Sequence, residues 1–353
     1  MNLIQDQIIQ TNEPKVFVNS AAAAGKTHVL TERIRYLLNE GVRSEEIVAI
    51  TFTNNAASVM YERLGQPEGL FIGTVHSYCN FLLRCSGIDT SNLLDEERFD
   101  DLFPLIQNHP ECVRHVSHLL LDEGQDSTQD QFEFFELIHP DNFMYFFDIR
   151  QSIFSFNGAD PDYLIDKIEN DPSIVVYNMI QNHRNYREIL QFAKKFLYRL
   201  GPAYADNSIP VRGSSYGCVF EGDYSPSEAV EIFKRVNDQL KDDWKDWFIL
   251  CRTNADVELF ATLLNKERIP NDTFKQSELS HLEIENRMKE NTVKILTVHS
   301  AKGMENKNVL VFNVRAYKDE EARICYVAAT RARDHLIWIR MPKKKKAKIV
   351  NWE

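Results

Sequence analysis

The 353-residue sequence lacks any apolar run as long as the roughly 18–20 residues that a membrane-spanning helix needs. Its N-terminus, MNLIQDQIIQ, also lacks the basic start and apolar block of a signal peptide. The six cysteines occur singly, with no Cys-x-x-Cys spacing, so no zinc or iron–sulfur site is indicated. We therefore expect an intracellular protein with reduced cysteines and no membrane contact, cytoplasmic in a prokaryotic or viral setting.

Positive charge is also scarce, because 41 lysines and arginines face 52 aspartates and glutamates, for a net charge of −11. This balance excludes a protein coated in positive charge for tight, non-specific nucleic-acid binding. It leaves room for a local binding groove, since binding follows the local field. The dense basic run is KKKKAK at 343–348, which fits either a solvated tail or a segment that contacts nucleic acid.

Short β-branched and aromatic runs alternate with amphipathic stretches along the whole sequence. Alternation of this kind predicts parallel sheets with crossover helices, the α/β class. The first set of predicted strands lies at 15–20, 46–52, 70–75, 118–122, 142–148 and 173–179. The pattern resumes after about residue 217, and we identify no internal sequence repeat. We predict one domain over 1–185, a second over 186–342, and a basic tail over 343–353.

The stretch SAAAAGKT at 20–27 ends like a phosphate-binding loop but has little glycine. It follows a predicted strand and opens an amphipathic helix, which is the context that such a loop requires. Backbone N–H groups there would face phosphates, Lys26 would reach the β and γ phosphates, and Thr27 would offer its hydroxyl to Mg²⁺. Taken alone, Gly-Lys-Thr is a weak signal.

A second segment strengthens the assignment, because HLLLDEGQD places Asp122 and Glu123 at the end of a buried strand. A carboxylate pair opposite a phosphate loop suits ATP hydrolysis. Asp122 would hold Mg²⁺, and Glu123 would activate the attacking water. The two segments together predict an ATPase that uses ATP and Mg²⁺.

With these segments placed, the chain resembles the UvrD/Rep/PcrA group of superfamily 1 helicases from Gln7 to about Arg340. The resemblance rests on short segments that follow in the family's order: LIQDQ, SAAAAGKT, AITFTNNAASVMYERL, IGTVHSYC, LDEGQDS, DIRQSIFSFNGAD, IQNHRN, WFILCRTNAD, ILTVHSAKGMENKNVLVF and YVAATRARDHLIWI. It implies two tandem RecA-like domains with ATP in the cleft between them.

The resemblance also implies roles for individual residues in the ATP site. Gln7 would read the adenine edge, Gln151 would sense the γ-phosphate, and Glu305 would lie near the ribose. Arg184 and Arg331 would place guanidinium groups on the developing charge. The implied ATP-binding set is Gln7, Ala22, Ala23, Ala24, Gly25, Lys26, Thr27, His28, Gln151, His183, Arg184, Glu305 and Arg331.

A single-stranded nucleic-acid track is implied along one edge of the two sheets, where aromatic rings would stack on bases without choosing among them. Its candidate residues are Phe52, Thr53, Asn54, Thr74, His76, Phe154, Phe156, Arg252 and His299. Core packing remains an alternative role for both phenylalanines after Gln151. Stacking and phosphate contacts do not require deoxyribose, so RNA remains open as the track.

The sequence departs from the family pattern in its phosphate loop and adenine site. Ala21, Ala23 and Ala24 replace the usual Gly, Gly and Ser, and an active loop of this composition requires negative φ at these alanines. His28 and His183 replace the usual arginine and tyrosine around adenine. We predict that the two rings stack on the base, with weaker and more pH-sensitive binding than usual.

Length is the largest departure, because the family's two accessory insertions are reduced to about 84–118 and 268–291. We predict a near-minimal, monomeric motor that moves on single-stranded DNA, 3′ to 5′ by resemblance, and separates strands. Two alternatives remain open. One is a DNA-stimulated ATPase subunit that remodels a partner, such as a nuclease, polymerase or recombinase, without unwinding alone. The other is an ATP-binding scaffold without turnover.

Overall fold

The computed structural model describes residues 3–275 and 279–342, which form two compact units. Unit 1 comprises residues up to Arg184, together with Leu197–Arg212 and Leu279–Ile284. Unit 2 comprises Asn185–Phe196, Gly213–Glu278 and the chain from Glu285 onward. The lysine-rich tail from residue 343, and part of the second shortened insertion, lie outside the described residues.

Unit 1 is built on a six-stranded sheet in which each strand pairs with its neighbours in parallel. Its strands are β1 (Lys15–Ser20), β2 (Ile47–Ile50), β3 (Phe71–Gly73), β4 (His118–Leu121), β5 (Asn142–Phe147) and β6 (Val175–Met179). They lie in the order β3-β2-β4-β5-β1-β6. The predicted α/β class is confirmed, and each strand predicted for this half of the chain is present.

Helices connect these strands. They are α1 (Leu3–Gln10), α2 (Lys26–Asn39), α3 (Asn54–Arg63), α4 (Val75–Cys85), α5 (Ser91–Asp95), α6 (Leu102–Asn108), α7 (Gln129–Ile138) and α8 (Pro161–Asn170). The two short helices α5 and α6 occupy the first shortened insertion.

Alternate strand residues of unit 1 enter two different apolar layers. Phe17 and Tyr145 belong to one cluster, and Val16, Val18 and Phe146 belong to the other. Successive side chains of a strand point to opposite faces, so the sheet is covered on both sides. This explains why the strands appear in the sequence as near-continuous apolar runs.

The segment Leu197–Arg212 packs with unit 1 although the chain on both sides of it belongs to unit 2. Within it, β8 (Ile209–Pro210) pairs in parallel with β7 (Gln181–Asn182). The Tyr204 hydroxyl donates to Asp162 at 3.0 Å. Both contacts fasten the segment to the unit that carries the phosphate loop.

Unit 2 contains a second six-stranded parallel sheet. Its strands are β9 (Val219–Asp223), β10 (Trp247–Cys251), β11 (Asn271–Thr273), β12 (Val293–Thr297), β13 (Asn306–Phe312) and β14 (Ala332–Arg340), in the order β11-β12-β10-β13-β14-β9. Its helices are α9 (Arg187–Lys194), α10 (Pro226–Leu240), α11 (Asn254–Lys266) and α13 (Asp319–Ala329), and α12 (His281–Lys289) is shared between the units. Within the described ranges, no helix has the length and apolarity to cross a membrane.

Candidate nucleotide and nucleic-acid sites

The phosphate loop joins the carboxyl end of β1 to the first turn of α2. Gly25 caps α2 in a left-handed conformation with φ of 88°, so the first backbone N–H groups of the helix lie next to the loop. Ala23 also has a positive φ, 58°. The requirement of negative φ is met at Ala21 and Ala24, but the expectation is wrong at Ala23, which adopts a conformation that favours glycine.

Neighbouring side chains and backbone groups hold the loop in this shape. Met179 accepts a hydrogen bond from the Ala21 N–H at 2.9 Å, and the buried Asn182 amide donates to the Ala22 carbonyl at 3.0 Å. The Ala23 carbonyl accepts from the His183 N–H at 3.2 Å. Such contacts fix a backbone conformation that alanine adopts only at a cost on the order of 1 kcal/mol.

The predicted ATPase residues of unit 1 are brought together at the carboxyl ends of β1 and β4. The Lys26 ammonium lies 2.9 Å from Glu123 Oε1. The Thr27 hydroxyl donates to Asp122 Oδ2 at 3.2 Å. Glu123 itself has a left-handed backbone, with φ of 54°, which turns its side chain back toward the loop.

Burial and charge shift the pKa values of two of these groups. Burial alone would lower the pKa of Lys26, but the carboxylates of Glu123, Asp122 and Asp148 outweigh it and raise that pKa. Burial, followed by the nearby Glu123 carboxylate, raises the pKa of Asp122 to about 6. The carboxylates are thus crowded around a single ammonium, an arrangement that favours a further cation.

The turn after β5 packs directly behind the carboxylate pair. Gln151 donates from Nε2 to Asp148 Oδ2 at 2.7 Å, and Arg150 donates to Asp148 Oδ1 and, at 3.0 Å, to Asn19. All three side chains of the turn are nearly buried. Arg150 was not among the predicted site residues, because its sequence position beside Gln151 did not indicate that it pairs with Asp148 and Asn19.

A pocket of about 500 Å³ opens beside the loop and is lined by Gln5, Ala23, Ala24, Gly25, His28, Gln181 and His183. Both histidines are exposed. Gln5 is buried, and its side-chain amide donates to the Ala24 carbonyl at 3.3 Å. Gln7 is exposed and does not line the pocket, whereas Gln5, two residues earlier on α1, does.

The remaining predicted ATP-site residues are placed as follows. Arg184 is half-buried in unit 1, and its N–H donates to Asn182 Oδ1 at 3.1 Å. Glu305 is exposed immediately before β13 in unit 2. Arg331, also in unit 2, is only 2% exposed and donates to the Val327 carbonyl at 3.0 Å and the Met304 carbonyl at 3.1 Å. Their catalytic roles stay predictions.

The donor set around Asp122 fits Mg²⁺. The Thr27 hydroxyl and the Asp122 carboxylate are hard oxygen ligands that already adjoin each other. In the part of the chain that the structure describes, no cluster of three or more His, Cys, Asp or Glu side chains has metal-site geometry. A two-ligand protein site is the type that Mg²⁺ uses when phosphate and water complete its coordination.

Three aromatic rings of the predicted nucleic-acid track lie together in unit 1. Phe52 and Phe154 stack with their centroids 5.0 Å apart and an interplanar angle of 26°. Phe156 contacts Phe154 edge-on at 5.8 Å and is 68% exposed. We name these three residues the aromatic platform.

The polar track residues of unit 1 follow β2 and β3. Thr53 caps α3 through the Ala56 N–H, and Asn54 is the first residue of that helix. Thr74 caps α4, so His76 lies in the first helical turn and not at a strand end as predicted. The His76 ring packs against Phe103 of α6, with centroids 5.2 Å apart, and lies 3.2 Å from an Asp100 carboxylate oxygen.

The track residues of unit 2 occupy matching positions. Arg252 directly follows β10 and precedes Thr253, which caps α11 as Thr53 caps α3. His299 follows β12 within Thr-Val-His-Ser, a sequence that also occurs at 74–77. In both copies the threonine oxygen accepts from the N–H of the serine three residues later, at 3.1–3.2 Å. The two Thr-Val-His-Ser segments therefore form the same local turn at the ends of β3 and β12.

Family models match most of the described chain. The UvrD/REP helicase N-terminal domain matches residues 1–102 and 89–172, and the UvrD-like helicase C-terminal domain matches residues 271–343. The chain is 24% identical over 367 residues to the ATP-dependent DNA helicase PcrA of Staphylococcus aureus, covering 76% of this chain and 50% of that protein. It is 25% identical over 372 residues to the ATP-dependent DNA helicase Rep of Escherichia coli, covering 76% and 54%.

The chain thus spans about half the length of the curated relatives it matches. Among solved structures, the C-terminal domain of a possible DNA helicase from Lactobacillus plantarum is 20% identical, with a TM-score of 0.34, over 45% of this chain and 87% of that one.

Proposed function

Because the chain belongs to the UvrD/Rep/PcrA group of superfamily 1 helicases, we propose that it hydrolyses ATP to move along single-stranded DNA and separate strands. The observation that carries the proposal is the contact set at the ends of β1 and β4: Lys26 with Glu123, and Thr27 with Asp122. ATP hydrolysis needs these groups close together. Two ordinary surface carboxylates would not pair with a lysine and a threonine of a phosphate loop.

In this proposal the phosphates lie against the backbone of the loop and the N-terminus of α2, with Lys26 on the β and γ phosphates. Thr27 and Asp122 hold Mg²⁺, which neutralises phosphate charge when bound. Glu123 accepts a proton from the attacking water. Gln151, Arg184 and Arg331 respond to the γ-phosphate and the charge that develops on it.

We assign adenine to the pocket beside the loop, with Gln5 at the base edge and His28 and His183 as stacking rings. The pocket's volume and its two exposed imidazoles support this assignment. Replacing both histidines by alanine is expected to raise the KM for ATP about tenfold or more, whereas each single change has a smaller effect. An unchanged KM in the double variant would contradict the stacking role.

We assign single-stranded DNA to the aromatic platform and to the strand-end residues of each unit. Thr53, Asn54, Thr74 and His76 serve in unit 1, and Arg252 and His299 serve in unit 2. Base stacking on exposed rings is worth about 1–3 kcal/mol per base and tolerates any sequence. Phe156→Ala is therefore expected to weaken binding of single-stranded DNA by about tenfold.

The first test is phosphate release with and without single-stranded DNA. DNA should stimulate ATP hydrolysis strongly, and Lys26→Ala and Glu123→Gln should each abolish it. A Glu13→Gln variant, which changes an exposed glutamate far from these contacts, serves as the control. Absence of stimulation in the parent protein would contradict a DNA-driven motor and favour the ATP-binding scaffold. An RNA of the same sequence, tested in parallel, decides which nucleic acid is the track.

The second test is strand displacement on duplexes with either a 3′ or a 5′ single-stranded tail. We propose 3′-to-5′ movement by a monomer, so the 3′-tailed duplex should be separated and the 5′-tailed one should not. Separation that requires a 5′ tail would contradict the proposed direction. The number of bound chains per tail, measured by light scattering, tests the monomer.

A second candidate function rests on the short connections between motifs. Two short α-helices, α5 and α6, and two single-turn 3-10 helices fill the first insertion, and residues 274–292 join β11 to β12. A chain with so little accessory structure could act as a DNA-stimulated ATPase subunit that remodels a protein partner. DNA-stimulated hydrolysis without displacement of either duplex would favour this candidate.

A further inference from the structure

A single buried side chain, that of Gln125, touches both the catalytic carboxylate and the turn that leads to the aromatic platform. Gln125 is 1% exposed and follows Glu123 by two residues. Its Nε2 donates to Glu123 Oε2 at 2.6 Å, and its Oε1 accepts from the Asp148 N–H at 2.8 Å. The nitrogen and the oxygen of one side-chain amide therefore bond to two different segments of the chain.

The Glu123 carboxylate is held from two sides. Lys26 contacts Oε1, and Gln125 donates to Oε2. In the proposed function Lys26 serves the phosphates of ATP, and the Gln125 amide is a contact that continues to orient the carboxylate. A general base must be oriented toward its water to act, so this orientation bears directly on turnover.

The side-chain oxygen of Gln125 contacts the turn that leads to the aromatic platform. Asp148 begins the turn that carries Gln151, and the Ser152 hydroxyl donates to the Gln125 backbone carbonyl at 3.1 Å. Phe154 lies two residues beyond Ser152 and stacks on Phe52. Phe154 is therefore linked to Glu123 through two hydrogen bonds and the Gln125 side chain. Gln125 and Ser152 are buried, and the Glu123 side chain is 28% exposed.

We propose that Gln125 is a positioning residue that couples occupancy of the aromatic platform to the orientation of Glu123. Bases stacked on the platform fix the Asp148–Ser152 turn. The turn then fixes the Gln125 amide, and the amide holds Glu123 in the orientation that activates water. This inference rests on the proposed function, and it predicts that nucleotide and DNA affinities depend on each other through Gln125.

The test compares the parent protein with Gln125→Glu. Glutamate keeps the acceptor for the Asp148 N–H but replaces the NH₂ donor by a carboxylate oxygen, which repels Glu123 when both groups are ionised. Binding is therefore measured at about pH 8.5, where sharing of one proton between the two carboxyl groups is least favoured. Affinity for a fluorescein-labelled oligothymidylate is measured with and without magnesium and a non-hydrolysable ATP analogue. We expect the analogue to change the parent's DNA affinity by about fivefold or more, and that of Gln125→Glu by less than twofold.

Three controls separate positioning from a loss of folding. Gln125→Glu should bind nucleotide alone and DNA alone within about threefold of the parent, and it should melt cooperatively. Gln129→Glu, the same substitution at an exposed site on α7, should keep the full coupling. Ser152→Ala, which removes only the Ser152 hydroxyl bond, should lose part of the coupling if the path is as described.

Turnover gives an independent comparison. In Gln125→Glu the KM for ATP should stay near the parent value, while the DNA-stimulated kcat should fall about tenfold or more. Parent-like coupling in Gln125→Glu, or equal loss of coupling in Gln129→Glu, would overturn the inference. If the parent binds both ligands with coupling but does not hydrolyse ATP, the proposed function fails while the binding comparison still decides the role of Gln125.

Discussion

Ala23 has the left-handed backbone that glycine adopts at lower cost. The steric penalty for alanine there is roughly 1–2 kcal/mol, and the extra chain entropy of glycine in the unfolded state offsets about 0.5–1 kcal/mol of it. We therefore expect Ala23→Gly to raise the free energy of unfolding by roughly 0.5 kcal/mol. Urea titration followed by circular dichroism measures the change.

Ala24→Gly is the matched control for that prediction. Ala24 is buried and has a negative φ, so glycine there removes a packed methyl group and adds only chain entropy. The free energy of unfolding should therefore fall by about 1–2 kcal/mol in Ala24→Gly. If both glycine variants changed stability in the same direction, the backbone of Ala23 would not be the cause.

The residues of the site could be predicted from the sequence where side-chain type and order along the chain were enough to define them. Lys26, Thr27, Asp122 and Glu123 lie as expected because a phosphate loop and a carboxylate pair at strand ends can meet in few ways. Helix phase separates Gln5 from Gln7, and two residues on a helix point about 200° apart. Gln125 and Arg150 escaped notice because their importance comes from packing between segments remote in sequence.

At the scale of elements, the shortened insertion contacts the predicted track directly. Asp100 lies beside His76, and Phe103 of α6 packs against the His76 ring. A carboxylate at this position repels a nucleic-acid phosphate near His76. Asp100→Asn should therefore tighten binding of single-stranded DNA by about twofold to fivefold at low salt, as measured by fluorescence anisotropy.

The control for the insertion is Asp95→Asn, which removes an equal charge from the end of α5. The gain for Asp100→Asn should vanish in high salt, because the interaction is exposed and screened. Equal gains in both variants would indicate that total charge, and not the position of Asp100, sets the affinity.

Strand β4 contains a titrating group at its first residue. Burial, followed by the nearby Arg33 guanidinium, lowers the pKa of His118 to about 4. Above the unfolded-state pKa of about 6.5 the ring is neutral in both the folded and the unfolded chain, so its protonation does not change the free energy of unfolding. Between pH 6.5 and 4 the unfolded chain takes up a proton that the folded chain refuses, so stability falls as pH falls.

His118→Leu should remove this part of the acid sensitivity. The parent should lose on the order of 1 kcal/mol more than the variant between pH 7 and pH 4.5, after allowance for partial exposure of the ring. Chemical denaturation at a series of pH values measures the difference. Parallel pH curves for the two proteins would contradict a depressed pKa at His118.

At the scale of the whole molecule, each unit has its own apolar core. Of the four tryptophans, Trp244, Trp247 and Trp338 lie in unit 2, and Trp352 lies outside the described residues. In a Trp352→Phe background, tryptophan fluorescence should therefore follow unit 2 alone, while circular dichroism follows both units. We expect the two urea transitions not to coincide.

A non-hydrolysable ATP analogue with magnesium adds a second comparison. At 100 times its Kd the analogue should stabilise the unit that binds it by about 2.7 kcal/mol. The shift should appear in the circular dichroism transition of unit 1 and should disappear in Lys26→Ala. Coincident transitions that move together would show that the chain unfolds as one cooperative body.

The fold was largely predictable, because parallel strands covered on both faces leave long apolar runs in the sequence. Residues such as Val16, Phe17 and Val18 are all buried, on opposite faces, and the run therefore stands out. The assignment of Leu197–Arg212 to unit 1 had no comparable signal. It depends on a two-residue strand pair and single side-chain contacts, which local sequence patterns do not encode.

That assignment has a consequence for exchanging parts between relatives. A chimera that joins a foreign second half after residue 184 would discard β8 and the Tyr204 contact with Asp162, and so would leave unit 1 incomplete. A junction after residue 212 would keep them but would carry along α9, whose buried Ile189, Leu190 and Phe192 belong to unit 2. A workable transplant of unit 1 must therefore supply three separate stretches of chain, of which Leu279–Ile284 is the last.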